Sequence, residues 1–183
     1  MTPEISTDGL TLILGGARSG KSTFAEKIAR ETGKSVLFIA TATAGDSEMA
    51  GRIRRHQAAR PPEWQTLELP RNLGRHLASP VAPVVIVDCI TLLVSNILLS
   101  FPESTPAEDV MHHIKVEVDE LIAAQVRLGG QWLIVSNEVG LGLVPPYPLG
   151  RVYRDALGFA NQTLAREACR VIFMVAGIPM VIK

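Results

Sequence analysis

The sequence predicts an α/β fold, a mostly parallel central sheet with helices on both faces. Three observations carry that expectation. Short apolar runs at residues 10–14, 36–40, 84–87, 132–135 and 171–175 are continuous rather than alternating, as in strands buried on both faces. Helical patterns at 21–31, 47–59, 91–100, 108–128 and 150–168 separate them, the first closed by Gly33 and the second by Pro61. A G-x-x-x-x-G-K-S string, Gly15 to Ser22, sits between the first strand and the first helix. In such a sheet, ligands bind at the carboxyl ends of the strands. The C-terminus departs from the alternation, because Gly177 and Pro179 separate 171–175 from 180–182 and predict a closing hairpin with an antiparallel edge strand.

With 183 residues, 47% hydrophobic and 20% charged, the chain is sized for a single domain, residues 1–183, with one core. Eighteen Lys and Arg balance eighteen Asp and Glu, so no global positive field exists to gather nucleic acid or an anionic membrane. The longest apolar stretch, 81–101, is broken by Pro83, Asp88, Thr91, Ser95 and Asn96 and reads as a strand followed by a helix, not a membrane span. Cys89 and Cys169 are the only cysteines and read as reduced core thiols. The first residues lack the basic-then-apolar order of a secretory signal, which makes the cytoplasm the expected location.

The glycines of Gly15, Gly16, Ala17, Arg18, Ser19, Gly20, Lys21 and Ser22 let backbone N–H groups converge on phosphate oxygens, with the helix N-terminus adding its positive end. Lys21 is expected to reach the β- and γ-phosphates and Ser22 to ligate Mg²⁺. Residues 84–88 are four apolar residues ending in a carboxylate, which predicts a second strand that sets Asp88 beside the metal; the plainer alternative is a cap for the helix at Thr91. The segment 47–60 concentrates Arg52, Arg54, Arg55, His56 and Arg60. On a helix Arg52 and His56 share a face, where an imidazole among guanidiniums can attack phosphorus; spacing alone favours the plainer reading, a solvated basic face. His112 and His113 are adjacent and point apart, which excludes a paired metal site, and His76 lies in a polar stretch. Ser136, Asn137 and Glu138 follow an apolar strand and present polar side chains at a strand end, or make a plain turn. Pro145 to Pro148 predicts a stiff extended segment.

The string Gly-Gly-Ala-Arg-Ser-Gly-Lys-Ser, then Phe-Ile-Ala-Thr-Ala at 38–42, Glu-Met-Ala-Gly-Arg-Ile at 48–53, His56 with Arg60-Pro61, Asp88-Cys89-Ile90-Thr91 and Asn137-Glu138-Val139-Gly140 resemble, in order and over nearly the whole chain, the bifunctional adenosylcobinamide kinase/adenosylcobinamide-phosphate guanylyltransferase family. The resemblance implies a RecA-like P-loop fold and a homo-oligomer, a trimer. It also implies phosphorylation of adenosylcobinamide by ATP or GTP, then transfer of GMP from GTP through a covalent histidine that maps onto His56. These are late steps in assembling the nucleotide loop of cobalamin. The nucleotide contacts it implies are the phosphate loop, Thr41, Ala42, Thr43, Gln57, Ala58, Ala59, Arg60, Glu68 and Asp88. Where some relatives carry Glu, this chain has Asp88; where some carry two histidines, it has Arg55-His56. Two other functions share the phosphate loop, a kinase for another small alcohol with His56 a bystander, and a GTP-driven regulatory switch.

Overall fold

The computed structural model describes residues 8–43, 51, 60–77 and 82–183. The strands are β1 (Gly9–Gly15), β2 (Val36–Ala40), β3 (Gln65–Glu68), β4 (Val84–Asp88), β5 (Gln131–Val135), β6 (Arg170–Val175) and β7 (Ile178–Val181). The helices are α1 (Lys21–Glu31), α2 (Leu73–His76), α3 (Ile90–Leu98), α4 (Ala107–Leu128) and α5 (Pro148–Glu167). One sheet contains all seven strands in the order β3-β2-β4-β5-β1-β6-β7. Every pairing is parallel except β6 with β7. This is the mostly parallel sheet with an antiparallel C-terminal edge hairpin expected from the sequence, with β5 inserted between the phosphate-loop strand β1 and the acid-bearing strand β4.

The continuous apolar runs now have a physical cause. Along each central strand, alternate side chains enter opposite layers. Leu10, Leu12, Leu37, Ile39, Val85, Val87, Trp132 and Ile134 pack beneath α3, α4 and α5, while Ile13, Phe38, Ile86 and Leu133 pack with Ala25, Ile28 and Ala29 of α1. A polar residue on either face would lack water, which is why the strands carry almost none. No helix among the described residues is long and apolar enough to cross a membrane.

Two small elements escaped the sequence reading. β3 is four exposed residues on the sheet edge, too short and too polar for an apolar-run criterion. α2 is a single turn whose N-terminus is held from a distance. Asn72 sits in the left-handed region at φ 58°, and the buried Glu117 carboxylate of α4 accepts N–H bonds from Asn72 at 2.9 Å and Leu73 at 2.8 Å. Gly74 packs so closely on the Glu120 carbonyl that a Cβ would collide with it. α5 starts at Pro148 rather than at residue 150, so the stiff extended segment ends at Tyr147; proline suits the first helical position, where no N–H donor is needed. Of the helix expected over 47–59, only Gly51 is described, and it is helical; the rest lies outside the described residues.

Removing the carboxylate by Glu117→Ala leaves two backbone donors without their acceptor, one of them on a buried residue. It is expected to destabilise the fold by about 2 kcal/mol, read as a lower urea midpoint with an unchanged slope.

Candidate active site

The carboxyl ends of β1, β4 and β5 meet at a cavity of about 450 Å³. Ala17, Arg18, Ser19, Gly20, Lys21 and Ser22 form one wall, and Ala42, Arg60, Asp88, Thr91 and Asn137 stand among the residues opposite. The loop takes its shape from glycine at two positions. Gly15 has φ 149°, and a Cβ there would lie 2.5 Å from the Met174 carbonyl oxygen and 2.7 Å from Ser19 Oγ. Gly20, at φ 92°, turns the chain into α1 without a side-chain cap, leaving the helix's first N–H groups open toward the cavity. Arg18 holds φ 57°, an uncommon conformation for a residue with a side chain. The C-terminal hairpin braces the loop from outside, with Gly177 N–H donating to the Ser19 carbonyl at 3.0 Å. Ser19 Oγ is buried with no hydrogen-bond partner among the described residues.

Lys21 is 7% exposed, and its ammonium donates to the Gly16 carbonyl at 2.6 Å, back across the loop. Burial lowers its pKa, opposed by negative charge at Cys89 and Asp88. Burial also pushes the Cys89 thiol up to about 11, so at neutral pH it is protonated and Asp88 alone acts as counter-charge. Arg60 also lines the cavity. Its guanidinium lies 3.6 Å from the centre of the Phe38 ring, and its Nε and one terminal nitrogen are buried with no hydrogen-bond partner among the described residues. Burial lowers its pKa against the pull of Asp88, Glu26 and Glu68. Two partly buried cations on one cavity favour an anion between them.

Asp88 ends β4 on the cavity wall, half-buried and level with Ala40 of β2 and Val135 of β5. It does not cap the next helix, whose N-cap is Cys89. That residue is held by Thr41 instead. Thr41 is fully buried; its hydroxyl accepts from Cys89 N–H at 2.8 Å and donates to the Cys89 carbonyl at 2.7 Å. The Thr41 carbonyl in turn accepts from the Asn96 amide at 2.8 Å. Thr41 therefore aims the Asp88 strand end, a role its position in sequence did not announce.

Of the nucleotide contacts implied by the resemblance, the structure gathers Ala17 to Ser22, Ala42, Arg60 and Asp88 on one cavity. Thr43 is exposed and Glu68 sits exposed at the end of edge strand β3; neither is among the residues lining it. Gly15 and Gly16 are not among the residues lining the cavity. His56, Gln57, Ala58 and Ala59 lie outside the described residues. The lining adds Thr91 and Asn137, whose polar side chains on a helix start and a strand end were the only sequence signal.

Ser22 and Asp88 offer hard oxygen donors of the kind Mg²⁺ takes, and no group of three or more His, Cys, Asp or Glu gathers among the described residues. A Mg²⁺ ion here would draw its remaining ligands from phosphate and water, its usual habit at triphosphate sites.

A family model described as cobinamide kinase/cobinamide phosphate guanyltransferase matches residues 11–182. The chain is 45% identical to a bifunctional adenosylcobalamin biosynthesis protein, CobP, of Pseudomonas aeruginosa, over 94% of this chain and 96% of that one. It is 38% identical to the bifunctional protein CobU of Escherichia coli, over 95% and 99%. Among solved structures, it is similar to the RadB recombinase at TM-score 0.47 and 14% identity, over 90% of this chain and 73% of that one. A match running the length of the chain, on a fold that gathers the phosphate loop, Arg60 and Asp88 at one cavity, places this enzyme in the cobinamide kinase/cobinamide phosphate guanyltransferase family.

Proposed function

We propose that the chain phosphorylates adenosylcobinamide with ATP or GTP and then transfers GMP from GTP to adenosylcobinamide phosphate through guanylyl-His56. The products are adenosylcobinamide-GDP and pyrophosphate. The observation that carries this reading is a triphosphate-sized cavity with two desolvated cations, Lys21 and Arg60, in a chain that matches the family from end to end.

In the kinase step the phosphate loop holds the triphosphate through its backbone N–H groups. Lys21 leaves the Gly16 carbonyl for the β- and γ-phosphates and spreads the charge that develops on the migrating group. Arg60, with donors already desolvated, meets phosphate oxygen without a further dehydration cost. Ser22 and Asp88 would hold Mg²⁺, which supplies charge neutralisation at the phosphates when bound. The cobinamide hydroxyl attacks in line and no histidine is required. In the transferase step the neutral imidazole of His56 attacks the α-phosphorus of GTP and pyrophosphate leaves; the substrate phosphate then takes GMP from the phosphoramidate. The same reading places the enzyme in the cytoplasm as a homotrimer. Exposed Ile178, Met180 and Val181 on edge strand β7 suit burial between copies.

Incubation with Mg²⁺ and α-labelled GTP, followed by peptide mapping, is expected to place an acid-labile GMP adduct on His56. His56→Ala should lose the adduct and keep the kinase step. A folded, GTP-binding protein without adduct would leave a simple kinase as the better reading.

Arg60→Ala removes a cation two of whose buried nitrogens have no hydrogen-bond partner among the described residues, so thermal stability should nearly hold while affinity for GTP falls about 10- to 100-fold. Titration calorimetry beside a melting curve reads both.

A further inference from the structure

Asn137 follows β5, the strand inserted between the phosphate loop and Asp88, and its backbone is fixed on several sides. Ser136 N–H donates to the Ile13 carbonyl at 3.0 Å and Glu138 N–H to the Gly15 carbonyl at 3.1 Å, so the segment runs beside β1 up to the first glycine of the loop. Between them, Asn137 N–H turns the other way, to the Thr91 hydroxyl at 2.8 Å. The Asn137 carbonyl accepts from the amide of Asn161, a residue only 5% exposed on α5, at 3.0 Å. The other end of the Asn161 amide accepts from the fully buried Ser136 hydroxyl at 2.6 Å. A four-residue network from three elements therefore fixes one residue's main chain.

The side chain of that residue lines the cavity, half-buried, and its carboxamide takes no hydrogen bond among the described residues. Lys21, Asp88 and Thr91 line the same cavity. A rigidly mounted amide without a partner among the described residues, on the same cavity as the lysine read as serving the β- and γ-phosphates, is placed to meet the terminal phosphate. An amide is never a base near neutral pH, so what it offers there is an N–H donor.

Building on the kinase reading above, we propose that Asn137 is a catalytic residue of phosphoryl transfer, its Nδ2 donating to a γ-phosphate oxygen as charge shifts during the reaction. The acceptor hydroxyl oxygen bonds to the γ-phosphorus, and the bond to the β,γ-bridging oxygen breaks with its electron pair leaving on the nucleoside diphosphate. The hydroxyl proton passes to solvent. Asn137 stabilises the equatorial oxygens and exchanges no proton.

The test compares the full-length protein with Asn137→Ala and with Asn137→Asp, which keeps the shape and the backbone network but replaces the donor by a negative charge. Kinase turnover with cobinamide, guanylylation of the protein by α-labelled GTP, affinity for a non-hydrolysable GTP analogue and melting temperature are measured for each. Kinase kcat is expected to fall about 100-fold in Asn137→Ala and at least as far in Asn137→Asp, with KM for nucleotide nearly unchanged, guanylylation much less affected and the melting temperature held. Wild-type kinase rates in Asn137→Asp, a loss confined to KM, or an equal loss in both reactions overturns the proposal. A wild-type protein that binds GTP and transfers no phosphoryl group to cobinamide would instead overturn the kinase reading on which it rests.

Discussion

The site depends on β1 being an interior strand. Its hydrogen bonds to β5 on one side and β6 on the other leave its C-terminal end no lateral freedom, so Gly15 is delivered to one place whatever the surface does. The loop that follows inherits this rigidity from two directions. β5 continues alongside it through the Glu138 to Gly15 bond, and the β6–β7 turn reaches back to Ser19. A phosphate site made of backbone N–H groups has no side-chain flexibility to correct an error in placement, and a parallel sheet supplies the required stiffness.

The second constraint is electrostatic. Lys21 and Arg60 are both partly withdrawn from water at one cavity, with Asp88 acting on each, and burial weakens the hold of each on its proton. Such a site is poorly compensated in the free protein, and under the proposed function that imbalance becomes binding energy for phosphate. Lys21 rests meanwhile on the Gly16 carbonyl, a neutral acceptor that a phosphate oxygen outcompetes. Cys89, immersed in the same wall, contributes no charge because burial and Asp88 keep its thiol protonated.

Behind these charges stands a layer of neutral hydrogen bonds that aims them. Thr41 closes on both backbone groups of Cys89 and so directs the end of β4, while Thr91 and Asn161 do the same for Asn137 at the end of β5. Each pairing joins residues 24 to 48 positions apart. Neutral donors and acceptors suit this task, since they hold geometry without altering the field that the phosphates meet.

The local features were legible in the sequence because their causes are local. Continuous apolar runs read as strands buried on both faces because both periodic faces are buried, and the phosphate loop is readable because glycine backbone freedom, strand exit and helix entry are all contained in eight residues. Asp88 was legible as an acid at a strand end; that it leaves the helix uncapped, with Cys89 at the cap held by Thr41, was not, since that choice depends on a residue 48 positions away. β3 and α2 were missed for the same reason. The first is a polar strand that exists only because β2 offers it an open edge, and the second a single turn whose N-terminus is satisfied by Glu117 of a later helix. The sequence by itself determined the strand and helix alternation and the phosphate loop. Tertiary structure alone decided which strand lies between the loop and the acid, and therefore which polar side chains share the cavity, because strand order is set by packing between distant segments and leaves no mark on any one of them.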